Sequence, residues 1–136
     1  MSVQLLSPEG MTRGVPYHHV AIGEGSRQVH VAGQIDRDVE GAPTAGEDLP
    51  GQVAQALRNT ATGLAAAAAG FGDVVRLTFY VARWKPSDIS GFMAGIELVA
   101  DELGLPRPMP PSSLIGVEIL FEPDVLVEIE ATAILA

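Results

Sequence analysis

Near its C-terminus the chain reads MPPSSLIGVEIL from Met109 to Leu120, and shortly afterwards DVLVEIEATAIL from Asp124 to Leu135. These stretches hold the polar groups best suited to chemistry. Ser112 and Ser113 present hydroxyls that could line an anion or amide site. As nucleophiles they would need an adjacent base to take the proton, and the sequence places no histidine beside them; serines after prolines also serve as turn residues. Glu128 can act as a general base toward water if burial raises its pKa, whereas an edge-facing carboxylate on an antiparallel strand otherwise solvates or pairs. Arg107 stands five residues before Ser112 and could bring a guanidinium to the same place, or remain in solvent. His19 and His30 could hold a metal with Glu128 or Glu130. Neither a His-x-His nor an HExxH spacing is present, so no metal is expected and paired histidines in a subunit interface are the preferred reading. Gly23 and Gly25 make no phosphate loop, because a strand rather than a helix follows them.

The chain that must position these groups has 136 residues, a length suited to one domain over residues 1–136 with its own core. Hydrophobic residues make up 47% and charged residues 18%, which fits neither a disordered chain nor a membrane-spanning one. Eight basic against seventeen acidic residues give a net charge of −9, which repels phosphate backbones and anionic membrane surfaces, so neither nucleic acid nor membrane is expected as partner. Without cysteine there is no disulfide, thiolate nucleophile or cysteine-ligated metal. The N-terminal MSVQLLSPEGMTRG does not look like a signal peptide, and a cytoplasmic location is expected.

Alternation over residues 16–35 predicts a hairpin about Gly23–Ser26, with Ile22 facing Arg27, His19 facing His30 and Tyr17 facing Ala32. Val20, Ile22, Val29, Val31 and Ile35 then share a core face, and Tyr17, His19, Gln28, His30 and Gln34 the other. Residues 36–48 read as an acidic, Gly/Pro-bearing surface loop. A helix is predicted from the Asp48 cap through Val53, Leu57, Ala61, Leu64 and Ala68 to a stop at Gly70. In the next strand Val75, Leu77, Phe79 and Val81 oppose Val74, Arg76, Thr78 and Tyr80. A second helix spans Pro86–Leu103, with Ile89, Phe92, Met93, Ile96, Val99 and Leu103 as its apolar stripe. GLPRPMPPSS must be an extended connector. Two strands follow, SLIGVEIL and DVLVEIEATAIL. The order is β-β-α-β-α-β-β, with two helices on one face of the sheet and a half-apolar second face that calls for cover by another subunit.

As an ordered set, GVPY at 14–17, HVAGQI at 30–35, AAAAAGFGDVVRLTFYV at 65–81, RPMPPSS at 107–113 and LVEIEATA at 126–133 resemble the reactive-intermediate deaminase family, RidA, also called YjgF. The similarity spans about residues 12–135. It implies a chorismate-mutase-like α/β (α+β) domain, assembled as a homotrimer with helices outside, sheets toward the threefold axis and ligand clefts between subunits. It also implies hydrolysis of imines and enamines of the 2-aminoacrylate type to keto acids and ammonia. In such members an arginine before the penultimate strand grips the substrate carboxylate. Counting from the proline puts Ser112 in its place; counting back from Val117-Glu118 puts Leu114 there, and neither is cationic. A charge-assisted pair of about 1.5–3 kcal/mol gives way to at best a neutral hydrogen bond of about 0.5–1.5 kcal/mol. Met93 stands where the family carries an asparagine. Tyr17 matches the aromatic that closes the cleft, Gly33 the backbone that approaches the ligand, and Glu128 the acid that orients a water.

The expectation is therefore a homotrimer whose intersubunit cleft takes a small, neutral or weakly polar metabolite, with no cofactor. Tyr17, Gly33, Met93, Ser112, Ser113, Leu114 and Arg107 are the expected binding residues and Glu128 the expected catalytic one. An active imine or enamine deaminase, a non-catalytic binding protein and, least favoured by the charge, a ribonuclease are the functions left open.

Overall fold

The computed structural model describes residues 3–136. Six strands and two helices follow one another as β1 (Val3–Leu6), β2 (Val20–Gly23), β3 (Arg27–Gln34), α1 (Leu49–Ala65), β4 (Val74–Ala82), α2 (Ile89–Leu103), β5 (Ser112–Val117) and β6 (Val127–Leu135). The main sheet has the order β3-β6-β4-β5. In it β6 runs antiparallel to both β3 and β4, and β5 runs parallel to β4. Each helix makes a crossover, since strands that are parallel need a long connection.

Sequence chemistry explains the helices. Asp48 caps α1 by accepting from the Gly51 amide, Pro50 occupies the first turn, and Val53, Ala54, Ala56, Leu57 and Leu64 are buried. Helix α1 ends at Ala65, five residues before the expected stop at Gly70. Ala68 enters the left-handed region at φ 58°, and the Ala69 amide returns to the Leu64 carbonyl at 3.0 Å, a Schellman closure built without glycine. A tight turn at Pro86–Asp88 leads into α2, which ends on Gly104 at φ 67°.

Phe92, Ile96, Val99 and Ala100 of α2 meet α1 and the inward side chains Leu77, Phe79, Val81, Val127, Ile129, Ala131 and Ala133 in one core. Phe79 and Phe92 pack edge to face with ring centres 5.0 Å apart.

Three expectations fail for physical reasons. The hairpin about Gly23–Ser26 does not form: β2 pairs with β1, a strand the sequence reading passed over, and β3 pairs with β6. His30 accordingly faces Thr132, and Ile22 is 44% exposed instead of buried. The predicted His19–His30 neighbours are apart: His19 Nε2 meets the Thr12 carbonyl and His30 Nε2 meets Gln28 Oε1. In β4 the register shifts between Val74 and Arg76, so Val74 turns inward with Leu77 while Val75 is only half-buried. The 36–48 loop is built around a buried acid, since Asp36 is fully buried and accepts from Thr44 Oγ1 at 2.6 Å and the Ala45 amide at 2.9 Å.

Candidate functional site

The prolyl connector positions one half of the site. Met109 bridges to Tyr17, with its amide donating to the Pro16 carbonyl at 2.9 Å and its carbonyl accepting from the His18 amide at 2.7 Å. Pro110 and Pro111 then deliver the chain to the β5 edge. Between this junction and α2 lies a cavity of about 160 Å³, lined by Tyr17, Phe92, Met93, Met109 and Leu114 with Ser112 and Ser113 as its polar members. Five of the residues expected in the cleft therefore converge: Tyr17, Met93, Ser112, Ser113 and Leu114. Phe92 and Met109, which the sequence reading placed only in a core stripe and a connector, complete the apolar wall.

The two serines do different work. Ser112 Oγ donates to the Pro110 carbonyl at 2.8 Å, so it ties its own turn. Ser113 Oγ accepts from Arg76 Nη2 at 2.5 Å. Arg76 comes from β4, two residues before Thr78, the register partner of Ser113. The alternation in the sequence sets Arg76 beside Thr78 and Tyr80 on one side of this strand and gives it no role. The parallel β4–β5 pairing that brings it to Ser113 carries no turn signal that a single sequence could reveal.

Arg107 is held elsewhere. Its guanidinium pairs with Glu97 at 2.6 Å and with Asp101, both on α2, and it does not line the cavity.

Gly33 and Glu128 form a second cluster on the sheet face away from the helices. Glu128 is the register partner of Tyr80, and its neighbour Glu130 accepts from the Tyr80 hydroxyl at 2.6 Å. A Cβ on Gly33 would stand 1.9 Å from Glu128 Oε2, so the glycine admits the carboxylate against the strand backbone. Burial first, and the Glu130 charge second, raise the Glu128 carboxyl above its ordinary pKa of 4.5. That direction suits a group exchanging protons with water. Within one chain the Glu128 cluster and the cavity lie on separate surfaces of the same sheet. Among the described residues no three histidine or acidic side chains converge as a metal-binding group, and no helix is long and apolar enough to cross a membrane.

Comparison with known proteins agrees with this architecture. The family model described as Endoribonuclease L-PSP matches residues 11–135. Among solved structures, YyfB of Yersinia pestis, described as a protein of unknown function of the conserved Rid family, is 34% identical, with a TM-score of 0.87 over 99% of this chain and 100% of its own. The YjgF gene product of E. coli is 26% identical, with a TM-score of 0.69 over 98% and 99%. E. coli TdcF, solved with bound serine, is 26% identical, with a TM-score of 0.68 over 96% and 94%. A search of curated proteins finds no match. With a family model spanning nearly all of the chain, and the same helix-covered sheet in its structural relatives, the chain belongs to the RidA/YjgF (Rid) family.

Proposed function

We propose that the chain works as a homotrimer whose clefts take a small metabolite with an apolar body and hydrolyse its C=N bond, a deaminase reaction on an imine or enamine. The observation that carries this reading is Glu128: a carboxyl seated on the Gly33 backbone, with its proton affinity raised by burial. In the reaction Glu128 takes a proton as the water oxygen bonds to the imine carbon. It returns that proton to nitrogen, and as the C–N bond breaks it takes the remaining hydroxyl proton, so that a carbonyl compound and ammonia leave. Contact between copies across the half-apolar sheet face joins the cavity of one chain to the Glu128 cluster of the next, as the family's intersubunit clefts suggest.

Supporting the reading are the convergence of Tyr17, Met93 and Ser112–Leu114 on one cavity, family membership, and the serine seen in TdcF. The ribonuclease in the family model's description fits less well, because a chain of charge −9 with Glu128 and Glu130 on its open face repels a phosphate backbone.

The test is keto-acid release from imines generated in situ. Turnover above the uncatalysed rate, lowered about 100-fold or more in Glu128→Gln, supports the reading; wild-type protein that adds nothing to the uncatalysed rate overturns it. A second reading, a binding protein without turnover, is favoured by Met93 and the turn-locked Ser112 at positions where the family carries polar and cationic groups. Saturable binding without any turnover would establish it.

A further inference from the structure

Glu128 does not stand alone on the open face of the sheet. Alternation along β6 sends Glu128 and Glu130 to the same side, about 7 Å apart along the strand. The pairing with β4 sets Tyr80 opposite Glu128 and Thr78 opposite Glu130. Tyr80 therefore reaches Glu130 along the diagonal, and its hydroxyl donates to Glu130 Oε1 at 2.6 Å, a short bond assisted by the carboxylate charge. Among the described residues that hydroxyl makes no hydrogen bond to Glu128. It stays a donor, because the bond to Glu130, ahead of burial and nearby charge, raises the phenol above its ordinary pKa of 10.0.

The cations of the neighbouring strands leave the two acids unpaired. Arg76, opposite Thr132, donates to Ser113 Oγ at 2.5 Å and forms no ion pair among the described residues. On β3, His30 also lies opposite Thr132 and meets Gln28 Oε1, while Arg27 reaches the Ala136 carbonyl at the far end of the strand. Strand β2 carries no titratable side chain. After burial, the Glu130 charge is what raises the Glu128 carboxyl, and a surface charge acts in this way only while it is held within reach.

We infer that Tyr80 is a positioning residue for the Glu128 base: by pinning the Glu130 carboxylate to the sheet, it keeps a fixed negative charge beside Glu128. The inference rests on the reading of Glu128 given above and adds the device that sets its basicity. Without the hydroxyl, the exposed Glu130 side chain is free to turn into water, where its charge is screened. Held in place, that charge opposes ionisation of Glu128, so Glu128 binds a proton more tightly and is the stronger base once ionised. In this role Tyr80 touches neither water nor substrate and acts through Glu130 alone. Phenylalanine in its place keeps the ring and removes only the hydroxyl.

A direct titration of Glu128 tests the device without relying on turnover. The full-length protein is labelled with carbon-13 at the glutamate carboxyls, the Glu128 resonance is assigned by its loss in Glu128→Gln, and its midpoint is followed with pH. Tyr80→Phe and Glu130→Gln should each lower that midpoint, and Tyr80→Phe should lower it no further in Glu130→Gln protein. With imines generated in situ, both single variants should lose about two- to fivefold in kcat/KM near about pH 8, and the acid limb of the profile should move to lower pH. A Glu128 midpoint that Tyr80→Phe leaves unchanged, or that falls equally with and without the Glu130 charge, overturns the role of Tyr80. Midpoints that shift as expected in a protein without turnover support the placement of Glu130 by Tyr80 and overturn the base that it serves, so the two failures are told apart.

Discussion

The Glu128 carboxylate rests on the backbone of Gly33, with Oε2 only 1.9 Å from where a Cβ on that glycine would stand. The glycine is therefore a seat for the acid. Gly33→Ala should push the carboxylate off the strand and toward solvent, which returns its pKa toward the ordinary 4.5 and misplaces the base. Because the atom displaced is the end of a flexible side chain, the melting temperature should barely move. Imine hydrolysis should fall about 10- to 100-fold, in the direction of losing a positioned general base. Keto-acid release measured beside thermal unfolding checks both halves.

Glu128 also sets a sign for stability against pH. Folding raises its pKa, so the folded state binds the proton more tightly than the unfolded one. The stabilisation is fully present below the unfolded value near 4.5 and is lost as pH rises through the folded value. Glu128→Gln removes the ionisation altogether. It should melt higher than the wild type at about pH 8, and the gap should narrow on titration toward about pH 4. A gap that stays constant with pH would show that Glu128 is not the group responsible.

Local periodicity carried most of the framework. The β6 alternation of Val127, Ile129, Ala131 and Ala133 against Glu128, Glu130 and Thr132 stands as read, and so does the Asp48 cap of α1. Tyr17, Met93 and Ser112–Leu114 were named through the family resemblance, and the fold gathers them around one cavity. What escaped was strand pairing. A glycine turn between two alternating runs reads as a hairpin, but β2 finds β1 and β3 finds β6, a choice made by nonlocal packing. The contact of Arg76 with Ser113 escaped for the same reason, since it spans a parallel pair whose residues lie 37 apart in the chain. The bulge at Val75 changed which valine is buried, because one extra residue inverts the face of everything before it.

Ala68 closes α1 at φ 58°, where an L side chain crowds its own carbonyl at a cost of about 1–2 kcal/mol. Glycine there relieves the crowding and gives back part of the gain through a more flexible unfolded chain. Ala68→Gly should stabilise the protein by about 0.5–1 kcal/mol, read as a rise in the urea midpoint at unchanged slope. Ala66→Gly is the matched control. Ala66 sits at an ordinary helical φ of −60°, so its replacement should destabilise, and the opposite responses of two alanines in one run would assign the effect to backbone conformation.

Gly95 is where the helices touch. A Cβ at this position of α2 would stand 2.6 Å from the Pro50 carbonyl oxygen and 2.7 Å from Val53 Cβ, atoms fixed to the first turns of α1. Neither can swing aside, so Gly95→Ala must move α2 away from α1, against a core in which Val53 and Ile96 are almost wholly buried. The better helix propensity of alanine, about 1 kcal/mol, works against overpacking of about 1–3 kcal/mol, and net destabilisation should result. Phe92 lies three residues before Gly95 on the same helix and forms part of the cavity wall. The substitution should therefore also weaken ligand binding, whereas Gly91→Ala, whose Cβ would meet nothing nearer than 3.7 Å, should leave binding intact and raise the denaturation midpoint.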